Sequence, residues 1–347
     1  MSSKKRVLVV GSGKRVVEAA LPVIARAPSW ELAGVLSRKP KTIASEGREH
    51  EVRGLEELTA ARLSEVDLVY MVVAKPAVPG VLRRFEAVDR AGLDMLIETP
   101  VMLVRHLGHR SLLEPFRNVW VSEDCTTLPV LDLLRDFVAT GAVGKLRSAT
   151  FDRSAYAYHG MAMVKAALGG ERIRYARQRP AGDGRRERRI ELENGLSATI
   201  FDPRDYALGT MTFEAEDGII SDVVPEGATA HRIEVCERDG SCTALAIGDV
   251  RRTFDEAEVE LMGSRGEGPG VTAWMDGMKR VGFRRLFEDV AAGRGAYPLG
   301  AALEDALVDY FLEKLGRWRA TPFTHPDGSP ARLALAALTR IGALAGR

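Results

Sequence analysis

The feature that most constrains this chain is a short apolar run near its start that ends in two glycines. Residues 6–10 are RVLVV, and Gly11-Ser12-Gly13 follows at once. An unbroken run of β-branched and apolar residues is typical of a parallel strand buried on both faces. A helical stretch is predicted over residues 15–27, just before Pro28. Strand, glycine turn and helix together predict the first βαβ unit of a parallel sheet.

The alternation of strands and helices continues to about residue 125. Further strands are predicted at residues 31–37, 67–74, 94–98 and 119–122, and a helix at residues 79–91 separates two of them. Such alternation forms right-handed crossovers and a parallel sheet. We therefore predict an α/β fold class with an N-terminal Rossmann dinucleotide-binding domain over residues 1–125.

The pattern changes after residue 125. Helices predicted at residues 128–140 and 158–168 are followed, between residues 188 and 246, by short strands. Three turn dipeptides interrupt those strands: Asn194–Gly195, Asp217–Gly218 and Asp239–Gly240. These pairs tolerate the positive φ angles of tight hairpins, so we predict a mostly antiparallel open sheet.

Helices return at residues 274–292 and 303–315, the second entered through Gly300. We predict a C-terminal α/β domain for substrate binding and oligomerisation over residues 126–322. Residues 323–347 are predicted to form a tail with a helix at 331–345, an Ala/Leu-rich segment.

Composition and charge argue against several classes of protein. The 49 basic and 48 acidic side chains leave a net charge of +1, which gives no field that would gather nucleic acid or an anionic membrane. The most basic stretch, GDGRRERR at residues 182–189, is predicted to be a solvated loop between strands. No stretch approaches the ~20 apolar residues of a membrane span, and the start lacks the apolar core of a secretory leader. We expect a cytoplasmic protein that acts on a small-molecule substrate, with no nucleic acid and no membrane as partner.

No metal site is predicted. Cys125, Cys236 and Cys242 lack the spacing of a metal clip, and their odd number suggests reduced thiols. His106 and His109 lie on a predicted surface helix with no acidic partner before Glu114.

The glycine turn predicts where a dinucleotide phosphate binds. Gly11 makes the tight turn, and Gly13 lets the pyrophosphate approach the helix N-terminus, with Ser12 and Lys14 beside it. Val16 occupies the position at which the dinucleotide fingerprint has a third small residue. A one-residue shift in the turn or looser packing of the helix could accommodate it. The alternative is an ordinary βα turn that contains glycines.

The end of the second predicted strand indicates which dinucleotide binds. An NAD-specific site carries a carboxylate there, whereas this chain has Ser37-Arg38-Lys39. A hydroxyl with two cations favours a 2′-phosphate, because the guanidinium offers a planar fork to phosphate oxygens. We predict that NADP(H) is preferred and that NAD(H) is possible. The alternative is a solvated basic turn.

With these features the chain resembles the Gfo/Idh/MocA family of oxidoreductases, to about residue 320. Glu98-Thr99-Pro100 corresponds to an acidic-Lys-Pro tripeptide at the end of the family's fifth strand. Glu123 and Pro129 keep a six-residue spacing, and His159 and Gly169 a ten-residue spacing. LAGVLSRK followed by IETP is locally similar to the biliverdin reductase and thiazolinyl imine reductase branches.

The resemblance implies a Rossmann domain, a second domain with an open antiparallel sheet, and a homodimer or homotetramer. It implies further contacts to the cofactor, which we predict at Ala74, Glu98, Thr99 and Glu123. His159 is the predicted catalytic proton source, because its ordinary pKa lies nearest neutrality. Tyr158 and Tyr156 are predicted to donate a proton or to stack on the substrate. For these three residues the alternative is a purely structural role.

Two positions depart from the family pattern. Thr99 replaces the lysine of the tripeptide, and Ala155 replaces an aspartate commonly found one turn before the histidine. A threonine cannot take a proton from a substrate hydroxyl near neutral pH, so polyol oxidation by the usual Lys–Asp–His set is disfavoured. We predict an NADPH-dependent reductase of a C=N, C=C or C=O bond that uses metal-free hydride transfer. The alternatives are an NADP-dependent sugar or cyclitol dehydrogenase with another base, and a non-catalytic NADP(H)-binding regulator.

Overall fold

The computed structural model describes residues 4–170, 172–224 and 230–320. The strands within these residues are β1 Lys5–Val10, β2 Trp30–Ser37, β3 Lys41–Ser45, β4 Arg48–Gly54, β5 Leu68–Met71, β6 Asp94–Glu98, β7 Asn118–Ser122, β8 Leu146–Asp152, β9 Ile173–Pro180, β10 Arg186–Leu192, β11 Ser197–Asp202, β12 Thr210–Ala215, β13 Ile219–Ser221, β14 Ala230–Arg232, β15 Glu234–Arg238, β16 Ser241–Ile247, β17 Val250–Thr253, β18 Tyr297–Pro298 and β19 Arg317–Arg319.

The α-helices are α1 Leu21–Arg26, α2 Ala60–Leu63, α3 Val78–Arg84, α4 Pro129–Ala139, α5 Ala157–Leu168, α6 Glu256–Met262, α7 Met275–Ala291 and α8 Leu299–Leu315. A π-helix, Val16–Ala20, directly precedes α1. Short 3-10 helices lie at Leu55–Glu57, Lys75–Ala77, Phe85–Ala87, Val104–Leu112, Asp124–Thr126 and Gly270–Trp274.

The chain divides into two compact units. The first contains the residues up to Glu123 together with Phe283–Leu303, and the second contains Asp124–Gly282 and Glu304–Ala320. One boundary therefore lies between Glu123 and Asp124, and two others fall within α7 and α8. Residues 283–303, which the sequence analysis assigns to the second domain, belong to the first unit.

The first unit is built on a sheet with the strand order β18-β7-β6-β5-β1-β2-β4-β3. Six neighbouring strands, from β7 to β4 in that order, are parallel, and β3 and β18 are antiparallel edges. Numbered along the chain, the parallel strands run 3-2-1-4-5-6, which is the order of a Rossmann sheet. The order reverses at β1, so the carboxyl end of β1 is the expected ligand-binding point of this sheet.

The core of the first unit follows from its strand sequences. Val7–Val10 are fully buried, as the unbroken apolar run predicts. Aromatic rings pack on the sheet as well: Tyr70 lies 5.5 Å from Phe283 and 5.6 Å from Phe287, and Trp30 meets Phe287 edge to face at 5.9 Å between ring centres. This packing fixes the strands whose ends carry the candidate site.

The second unit contains an eight-stranded sheet, ordered β14-β13-β12-β8-β11-β10-β9-β19, and the three-stranded sheet β15-β16-β17. Most neighbours are antiparallel, and the parallel pairs are β8 with β11 and β13 with β14. The predicted turn dipeptides connect β10 to β11, β12 to β13 and β15 to β16. The predicted fold class is confirmed.

Other elements differ from the predictions. The run at residues 182–189 is not wholly a solvated loop, because β10 begins at Arg186, and Arg188 is only 1% exposed. α8 begins at Leu299, so that Gly300 lies inside the helix instead of before it. The β3–β4 hairpin and strands β8 and β9 were not predicted. The helix predicted at 331–345, like the whole predicted tail at 323–347, lies outside the described residues.

Candidate active site

The glycine turn lies at the carboxyl end of β1. Gly11 has φ +139°, and a Cβ there would lie 1.9 Å from the carbonyl oxygen of Val72, after β5. Only glycine allows the two backbones to approach this closely. The Gly11 amide donates to Leu36 O of β2 at 2.8 Å, so the turn is fixed between the two neighbouring strands.

Gly13 meets a different constraint. A Cβ at Gly13 would have no neighbour within 4 Å among the described residues, so the space beside it is open. The amides of Val16 and Val17 both point back to Gly13 O, at 3.0 and 3.3 Å, and begin the helix. An open space at a helix N-terminus fits a dinucleotide phosphate, because the unpaired amides there attract anions.

Val16 is fully buried although it is larger than the residue expected there. It begins the π-helix Val16–Ala20, which is wider than an α-helix, before the chain continues as α1. The wider turn is the local change that accompanies the bulky side chain.

A cleft of about 230 Å3 lies at the carboxyl edge of this sheet. It is lined by Val10, Gly11, Ser12, Gly13, Ser37, Arg38, Leu55, Val72, Val73, Ala74, Ala77 and Val81. Six of the predicted cofactor contacts are therefore brought together, from the ends of β1, β2 and β5. Lys14 and Lys39 do not line this cleft; the Lys14 side chain is 82% exposed and pairs with Glu18 at 3.6 Å.

The end of β2 carries the residues predicted to choose the cofactor. Ser37 Oγ donates to Lys39 O at 2.8 Å, which shapes the turn, and Arg38 is exposed and lines the cleft. Lys41, which was not predicted as part of this site, donates from Nζ to Ser12 O at 3.2 Å. The sequence gives little indication of a role for Lys41, because this residue lies at the start of a hairpin that was not predicted.

Glu98 and Thr99 lie at the end of β6. The Glu98 carboxylate accepts a hydrogen bond from Tyr70 and pairs with Arg15 at 3.3 Å. Burial, the largest cause, and the charge of Glu98 raise the pKa of Tyr70, so its hydroxyl stays protonated. The Thr99 side chain is 8% exposed, and its hydroxyl has no hydrogen-bond partner among the described residues.

Lys75 is a second residue that the sequence analysis missed. It begins the 3-10 helix after β5, and its Nζ donates to Glu98 O at 2.6 Å. Burial lowers the pKa of Lys75 to about 8, with Glu98 opposing this shift and Arg15 adding to it. The sequence feature that could have indicated Lys75 is its position directly after a predicted strand.

Glu123, the last predicted cofactor contact, directly follows β7 and is 1% exposed.

The second unit contains the predicted catalytic residues. Tyr156 is the N-cap of α5, and the ring of His159 lies 4.9 Å from that of Tyr156 and 4.3 Å from that of Tyr158. Cys125 Sγ and a ring nitrogen of His159 lie within 4.8 Å of one another. The predicted residues therefore cluster at the start of α5. Asp152 is not the missing aspartate, because it ends β8 and pairs with Arg185 at 3.4 Å.

Two cations flank this aromatic cluster, and neither was predicted. Arg204 lies 4.5 Å from the ring centre of Tyr156 and 5.0 Å from that of Tyr206, and Lys279 lies 5.6 and 5.4 Å from the same rings. Burial raises the pKa of both tyrosines, against the opposing charges of Lys279 and Arg204. The phenols are therefore proton donors near neutral pH.

Lys279 keeps its charge. Burial favours its neutral amine, but Cys125, Tyr206 and Asp124 together outweigh burial, so that the pKa of Lys279 is raised. The cluster can thus offer a hydrogen-bond donor, an imidazole and two positive charges to a polar ligand.

Solved structures similar to this chain share its two-unit architecture. A proposed myo-inositol dehydrogenase of Sinorhizobium meliloti matches with a TM-score of 0.61 and 17% identity, covering 92% of this chain and 100% of that one. This likeness decides the fold. The chain has the two-domain fold of Gfo/Idh/MocA-type dehydrogenases.

Two further structures agree. The scyllo-inositol dehydrogenase of Lactobacillus casei, with bound NAD(H) and scyllo-inositol, has a TM-score of 0.58 and 10% identity, covering 91% of this chain and 99% of that one. The aldose-aldose oxidoreductase of Caulobacter crescentus, complexed with glycerol, has a TM-score of 0.58 and 13% identity, covering 92% of this chain and 100% of that one. No protein-family model and no curated protein sequence matches the chain. Among the described residues, no helix has the length and apolar character needed to cross a membrane.

Proposed function

We propose that the chain is an NAD(P)-dependent oxidoreductase that transfers a hydride between the cofactor and a small molecule. The observation that carries the proposal is the cleft at the carboxyl edge of β1, β2 and β5, with open space beside Gly13. A dinucleotide binds at this edge of a Rossmann sheet, where the strand order reverses. When bound, it supplies the hydride for reduction or accepts one in oxidation.

NADP(H) is the preferred cofactor in this proposal. Arg38 lines the cleft, Ser37 precedes it, and Lys41 contacts the glycine turn, so that positive charge surrounds the end of β2. No carboxylate follows β2 directly to repel a 2′-phosphate. NAD(H) is the second candidate, because the Lactobacillus casei relative contains it. Ala74, Glu98, Thr99 and Glu123 are the further cofactor contacts that we propose, with Lys14 and Lys39 as outer cations.

The favoured reaction is reduction of a C=O, C=N or C=C bond. His159 and the phenols of Tyr156 and Tyr158 are the proposed proton donors or substrate contacts in the second unit. Sugar or cyclitol oxidation is the second candidate, favoured by the inositols named for two relatives. A regulator that binds NADP(H) without turnover is the third.

Cofactor binding is tested by titrating the protein with NADPH and with NADH while following cofactor fluorescence. We expect NADPH to bind more tightly and Arg38→Ala to remove most of that preference. The matched control is Arg48→Ala, an exposed arginine on β4. Failure of the wild-type protein to bind either nucleotide at micromolar concentration would refute the proposal. Binding without hydride transfer to any ketone, imine, enone or polyol would favour the regulator.

Cytoplasmic localisation and assembly into a homodimer or homotetramer stay predictions. A surface on the second unit suited to self-association is a groove of about 570 Å3 over the large sheet, with side chains from β8 to β12.

A further inference from the structure

Lys75 places an amine at the end of β6, next to position 99, where the resemblance to Gfo/Idh/MocA proteins implies a lysine and this chain has threonine. Lys75 Nζ hydrogen-bonds to the carbonyl oxygen of Glu98, the residue directly before Thr99. The ammonium therefore reaches the end of β6 from the neighbouring strand β5.

The surroundings of Lys75 fix it and set its charge. His106 forms a hydrogen bond with the backbone of Lys75, and the carbonyl oxygen of Glu98 accepts one from the Lys75 side chain. The ionisable groups that face it are Glu98, Arg15 and His106. Tyr70 and Arg15 both engage the Glu98 carboxylate, while Lys75 contacts only the backbone oxygen of that residue among its described hydrogen bonds. Among the described residues, no carboxylate oxygen contacts the Lys75 amine directly to keep it charged.

Thr99 supplies an independent observation. Its side chain is buried, and Oγ1 has no hydrogen-bond partner among the described residues. A buried hydroxyl without a partner is unfavourable, and a hydrogen bond to a bound polar group would remove that cost. Thr99 directly follows Glu98, whose carbonyl oxygen accepts from Lys75, so the end of β6 carries two polar side chains that can hydrogen-bond a ligand.

The order of strands in the sheet indicates which part of a bound dinucleotide would lie nearest to Lys75 and Thr99. The strand order is β2, β1, β5, β6, with Ser37 and Arg38 at the carboxyl end of β2 and the glycine turn after β1. If the 2′-phosphate binds after β2 and the pyrophosphate after β1, the nicotinamide half extends toward β5 and β6. This is the end of the sheet that carries Lys75 and Thr99.

We propose that Lys75 is a catalytic residue that exchanges a proton with the substrate oxygen, and that the reacting bond is a carbonyl in one direction and a secondary alcohol in the other. This inference rests on the proposed oxidoreductase function. It favours C=O over C=N and C=C as the reacting bond, and it supplies the alternative base that sugar or cyclitol oxidation requires.

The step balances. In reduction, the carbonyl carbon gains a hydride, with its two electrons, from NAD(P)H, and the carbonyl oxygen gains a proton from the Lys75 ammonium. The products are the alcohol, NAD(P)⁺ and a neutral Lys75 amine, which then takes a proton from water. Oxidation runs the same exchange backwards, with the neutral amine accepting the hydroxyl proton.

The protonation state of Lys75 sets how kcat/KM depends on pH in each direction of the reaction. Reduction requires the ammonium, so kcat/KM for reduction holds below about pH 8 and falls above it. Oxidation requires the neutral amine, so kcat/KM for oxidation rises to a plateau above about pH 8. An unperturbed lysine, with a pKa of about 10.4, would move both limbs more than two pH units higher.

The first test needs no turnover. The intact protein is acylated briefly with acetic anhydride over a range of pH, and the modification of Lys75 is quantified by mass spectrometry beside that of Lys314, an exposed lysine on α8. We expect the reactivity of Lys75 to have its midpoint near pH 8. A midpoint near the ordinary lysine value, about 10.4, would overturn the proposal.

The second test separates proton transfer from cofactor binding. Lys75→Arg keeps a cation and a donor for Glu98 O but cannot release its proton. With NADP⁺ and myo-inositol, and with NADPH and 2-keto-myo-inositol, we expect this variant to lower kcat/KM about 100-fold or more. The dissociation constant for NADPH should stay within about twofold of wild type, because the substitution does not change the contacts that bind the cofactor in the ground state. Lys314→Ala is the matched control.

The outcomes distinguish the two proposals. Wild-type turnover by Lys75→Arg would overturn the role of Lys75 and leave the oxidoreductase function standing. A tenfold loss of NADPH affinity that accounts for the whole loss of activity would also overturn it, because Lys75 would then hold the cofactor. Wild-type protein that fails to bind NADPH would refute the proposed function itself, and with it the catalytic assignment.

Discussion

Gly11 and Gly13 lie two residues apart, yet the structure constrains them differently. A Cβ at Gly11 would collide with backbone of the neighbouring strand, and the residue has a positive φ. We expect Gly11→Ala to lower the free energy of unfolding by about 2–3 kcal/mol or more, because backbone must move. Urea denaturation followed by circular dichroism measures this loss.

Gly13→Ala is the matched comparison. Its Cβ would enter open space, so the free energy of unfolding should change by less than about 0.5 kcal/mol. The same methyl group would occupy the space that we assign to the pyrophosphate. NADPH affinity should therefore fall by roughly tenfold, or about 1.4 kcal/mol. Unchanged affinity in a stable Gly13→Ala protein would mean that the phosphates bind elsewhere.

Some residues of the candidate site could be predicted from the sequence, and others could not. The glycine turn, Ser37 and Arg38 could be placed at one edge because they follow predicted parallel strands, whose carboxyl ends meet there. Lys75 could not be assigned to the end of β6, because its partner lies 23 residues away and is a backbone oxygen. Local pattern carries no information on such a contact. The lowered pKa depends on burial, which is equally hidden from the sequence.

At the scale of elements, β10 shows how a charged run can be part of the core. The Arg188 side chain is 1% exposed and pairs with Asp202 at 2.7 Å, Asp309 at 2.5 Å and Glu313 at 2.6 Å. One arginine thus joins β10 to β11 and to α8. We expect Arg188→Ala to lower the free energy of unfolding by about 3–5 kcal/mol, because the buried Asp202 carboxylate loses its partner.

Arg186 provides the control for this prediction. It lies on the same strand and pairs with the same Glu313 at 2.6 Å, but its side chain is 43% exposed. Solvent screens such a pair, so Arg186→Ala should cost about 0–1 kcal/mol. Thermal and urea denaturation of both variants decide the matter. Equal losses would show that burial of Arg188 does not set its contribution.

Elements were predicted where apolar periodicity is strong and missed where charge obscures it. β6 was predicted with the bounds it has in the structure, because three apolar residues, MLI, stand between Asp94 and Glu98. β9, IRYARQRP, carries three arginines, and the buried positions Ile173 and Ala176 do not alternate regularly. The β3–β4 hairpin is similar, since REHEVRG has one apolar side chain, Val52. Both segments form strands through pairing with neighbours that the local sequence does not specify.

At the scale of the molecule, the near-zero net charge matters for association more than for fold. A chain with 49 basic and 48 acidic side chains has little long-range repulsion between copies. Contacts between copies then depend on local complementarity, and the large sheet of the second unit offers a surface for it. Ser148 and Thr150 are half-exposed on one face of β8, whereas Ala149 and Phe151 are buried on the other.

The groove on this sheet face predicts how two copies associate. Arg177 and Arg189 lie in it beside Glu191 and Glu214. A two-fold axis through the face would bring cations of one copy to carboxylates of the other, because the same patch is used twice. We expect the wild type to be a dimer or tetramer by size-exclusion chromatography with light scattering. Arg177→Glu with Arg189→Glu should shift it to a smaller species, while Arg294→Glu, an exposed arginine of the first unit, should not. A monomeric wild type, or a double variant of unchanged mass, would exclude this face as the interface.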